Sequence, residues 1–271
     1  DKTGAFLREI GKGYYGFEFA HSVRVDKDDN IWTVDEGTNM VTKFSPEGKV
    51  LMVLGRRPPS VDGPVVFPAG PNQPAQKYIF CRPTDVGWDP QGNIFVSDGY
   101  GDSRIAKYDK NGRFIKSAGT RGTGPLQFNT PHTIQVDRAG NVYVGDRGNS
   151  RIQVLDNDLN LKSIYDTVGA PWAVCVSGGP HQYLYSSNSY PDANNSDFQN
   201  VSGEIYKMEL DGTIIGKFGR PGKQPPYFQV VHMMDCRNPN EIVVGEIESW
   251  RVQKLIIHPQ GGGQTTSAAV R

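Results

Sequence analysis

The sequence predicts an all-β fold, a β-propeller of five readable four-stranded blades, and three observations predict it. A unit of roughly 40 to 50 residues recurs along the chain, the period of a propeller blade. Within each unit short apolar strands alternate with polar turns, and no helical periodicity of useful length interrupts them. The 271 residues include 32 glycines and 19 prolines, the turn-forming residues that many short strands require.

The units run from His21 to Gly55, Pro83 to Gly119, His132 to about Asp166, Ala173 to Gly219 and His232 to Ile257. Each opens on an alternating strand such as HSVRVD or HTIQVD, turns through DKDDN, DPQGN or DRAGN, and returns in a buried strand such as NIFVSD. A third strand follows (MVTKF, RIAKY, RIQVL, EIYKM, RVQKL), and a glycine turn leads to a fourth (KVLMVLG, RFIKSAG, TIIGKFG). The last unit lacks a fourth strand, and TGAFLREIG at the N-terminus matches that element. Ala5 to Ile10 is therefore expected to complete the final blade and close the ring. One domain spans residues 1–271 in this reading, because no linker divides the chain. Two inserts, Arg56 to Phe80 and Asn188 to Gly203, break the rhythm and are expected at a functional rim.

Composition narrows the function. Lys+Arg and Asp+Glu are both 29, so no global field favours nucleic acid or an anionic membrane. No apolar run reaches the roughly 20 residues of a membrane helix, and DKTGAFLREIG is not a signal peptide. Cys81, Cys175 and Cys236 are an odd set without metal-ligand spacing, so buried free thiols are expected rather than a disulfide framework or a thiolate zinc site. Two glycosylation sequons, at Asn194 and Asn200, fall in the second insert.

The functional signal is a register. His21, His132 and His232 each stand fourteen residues before the acid that closes the second strand, Asp35, Asp146 and Glu246; the alternate units carry Thr84 and Ala173 there. Three imidazoles in phase on one rim of a propeller leave an open position on a tetrahedral ion, as in a catalytic zinc site. Tyr100 and Arg147 follow the strand-end acids on that same rim and add a proton-transfer group and a carboxylate anchor. The recurrence of Asp35, Asp98 and Asp146 marks them as turn acids. No phosphate-binding glycine loop before a helix, nucleophile elbow or HExxH motif competes with this site.

These segments, above all FCRPTDVGWDPQGNIFVSDGYGDSRIAKYDKNGRFI and QFNTPHTIQVDRAGNVYVGDRGNSRIQVLD, resemble the NHL-repeat peptidyl-α-hydroxyglycine α-amidating lyases over nearly the whole chain. The resemblance implies zinc on His21, His132 and His232, an essential tyrosine at Tyr100 within DGYxxSR, and a substrate-binding arginine at Arg147. It implies cleavage of an N-acyl-α-hydroxyglycine, peptide or small molecule, to an amide and glyoxylate by a secreted or periplasmic protein. The family is six-bladed and its sixth blade carries a second active-site arginine; five blades are readable here. Met233 stands where the family places a calcium-binding aspartate, so the resemblance does not extend to calcium. Cys81 matches a family half-cystine whose partner position is Gly101, which excludes that disulfide. A non-catalytic NHL propeller binding a protein or other ligand on its rim is the alternative. A lactonase-like hydrolase fits less well, because those propellers use carboxylate-rich calcium sites.

Overall fold

The computed structural model describes residues 1, 3–57, 75–189, 201–238 and 240–257. Most of both inserts, the sequons at Asn194 and Asn200, and the C-terminal tail lie outside the described residues. The fold is an all-β propeller with five blade sheets, the first, second, fourth and fifth opening on antiparallel strand pairs. Strands β1 (Ala20–Val25), β2 (Ile31–Asp35), β3 (Met40–Phe44) and β4 (Val50–Gly55) form the first sheet in that order. The second is β5 (Asp85–Trp88), β6 (Ile94–Asp98), β7 (Arg104–Tyr108) and β8 (Phe114–Ala118). Two short parallel strands, β9 (Thr120–Arg121) and β10 (Gln127–Phe128), precede the third.

The third sheet is β11 (Pro131–Val136), β12 (Val142–Asp146), β13 (Arg151–Leu155) and β14 (Leu161–Tyr165). The fourth is β15 (Val174–Val176), β16 (Leu184–Asn188), β17 (Glu204–Met208) and β18 (Ile214–Phe218). The fifth holds three strands, β19 (Val231–Asp235), β20 (Glu241–Glu246) and β21 (Arg251–Ile256). A single 3₁₀ turn, Arg147–Asn149, is the one helical element among the described residues, and none there is long and apolar enough to cross a membrane.

The turn chemistry explains the regularity. Asp26, Asp89 and Asp137 each accept the backbone N–H four residues on, at 3.0, 2.8 and 2.8 Å, closing the loop between first and second strands. The residue before each closing asparagine takes a left-handed φ: Gly92 at +86°, Gly140 at +88°, and Asp29, which tolerates it, at +59°. The strand-end acids are structural, as their recurrence indicates. Asp35 accepts the N–H groups of Glu18 and Thr38, Asp98 those of Cys81 and the Arg104 side chain, and Asp146 is held by Arg151 at 2.8 Å. Glu246 accepts from Gln229 N and Arg251.

Cα packing resolves two compact units, Asp1–Val144 with Val154–Lys162, and Gly145–Gln153 with Ser163–Arg271. In the first, Trp32, Val34 and Val41 pack against Val86, Ile94 and Val96. In the second, Tyr185 and Ile205 pack with Val231, Met234 and Val244. Each such side chain, buried from water, contributes roughly 1.5–3 kcal/mol.

Two expectations are corrected. Ala5 to Ile10 forms no strand, and the fifth sheet stays at three. Phe6 and Leu7 are 82% and 73% exposed, so the segment has the pattern of a fourth strand without a ladder or an apolar face to hold it. The cysteines are not all free. Cys175 in β15 and Cys236, just after β19, form a disulfide, because these strands begin consecutive blades and lie side by side although 61 residues separate them. Cys81 alone is a free, buried thiol, and burial pushes its pKa up to about 12. A Cβ on Gly101 would lie 2.1 Å from its sulfur, so positions 81 and 101 are neighbours and the glycine is what leaves Cys81 unpaired.

Candidate metal and substrate site

His21 enters the first unit at an irregularity in the ladder. The β1–β2 register shifts between Ala20 and Ser22, and His21 is the extra residue. The β19–β20 register shifts in the same way between Val231 and Met233, around His232. The β5–β6 and β15–β16 ladders, whose units lack the histidine, begin only at Asp85 and Val174, one residue past that position. A bulge re-aims its side chain out of the pleat, a device common beside functional sites.

In the first unit, His21 Nδ1 lies 2.7 Å from the Thr84 carbonyl. A carbonyl only accepts, so Nδ1 carries the proton and Nε2 presents its lone pair. The Tyr100 hydroxyl is 3.2 Å from that Nε2, and the rings meet edge to face with centroids 5.4 Å apart. His132, 2% exposed, stands 4.7 Å from His21 and 6.0 Å from Tyr100 by ring centroids. Tyr100 reaches this place because Gly99 lets its turn approach β11: a Cβ there would sit 2.2 Å from the Pro131 carbonyl. The Arg82 guanidinium covers the Tyr100 ring at 4.7 Å and pairs with Glu36 at 2.8 Å.

In the second unit, Arg147 opens the 3₁₀ turn that Ser150 ends at φ +52°. Its guanidinium lies over Trp172, 4.0 Å from the ring centroid, and Trp172 meets His232 edge to face at 5.7 Å. Asp146 accepts from Asn149, Arg151 and Gln153.

Tyr100 thus joins His21 and His132, and Arg147 joins His232 through Trp172. Arg82 and Trp172 were not singled out in the sequence. Trp172 directly precedes Ala173, the register position of the histidines, and that adjacency is the signal that could have found it. Three histidines could hold a metal ion: His21, His132 and His232. The donor set fits zinc chemistry, since neutral imidazoles are its preferred nitrogen ligands and a carbonyl on the far nitrogen is the usual support for one.

The NHL repeat family model matches residues 128–155, from the end of β10 to the end of β13. Peptidyl-glycine alpha-amidating monooxygenase B of Xenopus laevis is 30% identical over 93% of this chain and 28% of its own. Peptidyl-alpha-hydroxyglycine alpha-amidating lyase 1 of Drosophila melanogaster is 27% identical over 94% of this chain and 47% of its own. The chain is an NHL-repeat propeller related to the amidating lyases. It spans less than half the length of these two relatives. Among solved structures, a streptogramin B lyase superposes with a TM-score of 0.55 at 16% identity, over 89% of this chain and 70% of that one, which supports the propeller fold of this relative of the lyases.

Proposed function

We propose that this protein is a zinc-dependent lyase that splits an N-acyl-α-hydroxyglycine into an amide and glyoxylate. The observation that carries the reading is the His21–Tyr100 pair: an imidazole with its tautomer set by Thr84, and a phenol against its presented nitrogen. The kinship with amidating lyases supplies the reaction class.

His21, His132 and His232 would hold the ion. A bound zinc would supply Lewis acidity toward the substrate's hydroxyl oxygen. Tyr100, ionised beside the cation, would take the hydroxyl proton; the C–N bond breaks as the new carbonyl forms, and Tyr100 returns that proton to the departing amide nitrogen. Electrons and atoms balance with no redox cofactor. Arg147, held over the Trp172 ring, offers its guanidinium for bidentate pairing with the substrate carboxylate. The acyl side accepts a peptide or a smaller group. Export is part of this reading, to the outside of the cell or the periplasm, and the Cys175–Cys236 disulfide supports it because such bonds persist in oxidising compartments.

The test is a glyoxylate assay on an N-acyl-α-hydroxyglycine and on its methyl ester. Release from the acid, with the ester turned over far more slowly and Arg147→Ala erasing that preference, is expected. No glyoxylate from either by zinc-loaded protein would overturn the reading in favour of a binding propeller.

A further inference from the structure

We propose that Asp85 is a positioning residue that braces His21 and His132 against each other from the intervening blade. The inference rests on the reading that these histidines are metal ligands. Asp85 begins β5, in a unit that carries no histidine, and is 1% exposed. One carboxylate oxygen accepts the Ser22 hydroxyl at 3.1 Å and Arg24 Nε at 3.0 Å; the other accepts Arg24 Nη2 at 2.6 Å, the Thr133 hydroxyl at 3.0 Å and Ile134 N at 3.1 Å. Ser22 directly follows His21, and Thr133 directly follows His132. The residue before Asp85 acts on the same pair: the Thr84 carbonyl binds His21 Nδ1, and its hydroxyl donates to the carbonyl of Pro131, which precedes His132, at 2.7 Å.

A buried carboxylate is costly unless its lone pairs are filled, and blades do not need this one. The same register position holds Ser22, Thr133, Val174 and Met233 in the other units, so the acid is no part of the repeat's folding pattern. Beside Arg24 and the N–H groups of Val86 and Ile134, its partners are Ser22 and Thr133, the residues that directly follow the two imidazoles. Residues 84 and 85 together fix the His21 tautomer and the spacing of both ring-bearing backbones, the role that supporting groups play around metal ligands.

The experiment uses the whole chain with Asp85→Asn, and with Ser22→Ala plus Thr133→Val, which leaves the Asp85–Arg24 pair intact should the first variant fold poorly. In metal-free protein, long-range ¹⁵N–¹H correlation is expected to show His21 as the Nδ1–H tautomer in the wild type and as a mixture in both variants. Cobalt(II) should bind the variants about 10–100-fold more weakly, with a shifted visible spectrum. A wild-type tautomer and an unchanged cobalt spectrum and affinity in either folded variant would overturn the brace. A wild type that binds neither zinc nor cobalt would sink the metal reading, and the tautomer comparison would still decide the brace.

Discussion

The Tyr100 hydroxyl lies 3.2 Å from Nε2 of His21, the nitrogen that carries the lone pair once Nδ1 is bound to the Thr84 carbonyl. Phenol and lone pair therefore face each other. Tyr100→Phe removes the oxygen and keeps the ring that packs against both histidines and Arg82. We expect bound zinc to be unchanged and kcat to fall about 10²-fold or more, measured by metal content and glyoxylate release on the same sample. Wild-type turnover in this variant would remove Tyr100 from the chemistry.

Gly99 is the hinge of that placement. A methyl group there would press on the Pro131 carbonyl and on Thr84, both beside the imidazoles. Gly99→Ala is expected to cost about 1–3 kcal/mol of stability and to lower zinc affinity with it. Denaturant melts and metal competition check both, and a neutral effect on each would show that the turn has room to move.

The Cys175–Cys236 bond closes a loop of 61 residues, so reducing it should cost about 4 kcal/mol through the unfolded chain. Cys175→Ala with Cys236→Ala should unfold at clearly lower denaturant. Insensitivity of the wild type to reductant would mean that packing alone holds β15 to β19.

Asp85 sets an acid limb. Burial pushes its carboxyl up, but Arg24 and the N–H groups of Ile134 and Val86 outweigh this and hold it below the ordinary carboxylate range. With the folded pKa depressed, its stabilisation is present above the unfolded value of about 3.9 and is lost as pH falls through the folded pKa. Asp85→Asn should therefore flatten the fall in melting temperature between about pH 5 and 2 relative to wild type. An unchanged slope would place the acid sensitivity elsewhere.

Much of this was legible in the sequence. The aspartate-to-asparagine turn closes on itself locally, so the first three blades could be read from DKDDN, DPQGN and DRAGN, and the histidine register followed from aligning the second strands NIWTVD, NVYVGD and EIVVGE. What escaped depends on neighbours far apart in the chain. Cys175 and Cys236 meet only because first strands of successive blades adjoin. The shifts around His21 and His232 are properties of a ladder, which strand composition does not encode. Ala5 to Ile10 shows the converse: its alternation matches a fourth strand, yet a strand exists only with a partner, and Phe6 stays exposed. Trp172 lies between strands, where periodicity carries no information.

The central claim is that His21, His132 and His232 hold one catalytic zinc. The most direct measurement is zinc titration of chelator-stripped protein with glyoxylate release followed at each addition. The account predicts activity rising linearly to a plateau at one zinc per chain, and no such rise in His132→Ala. Full activity without metal, or a folded wild type that takes up no zinc, would contradict it.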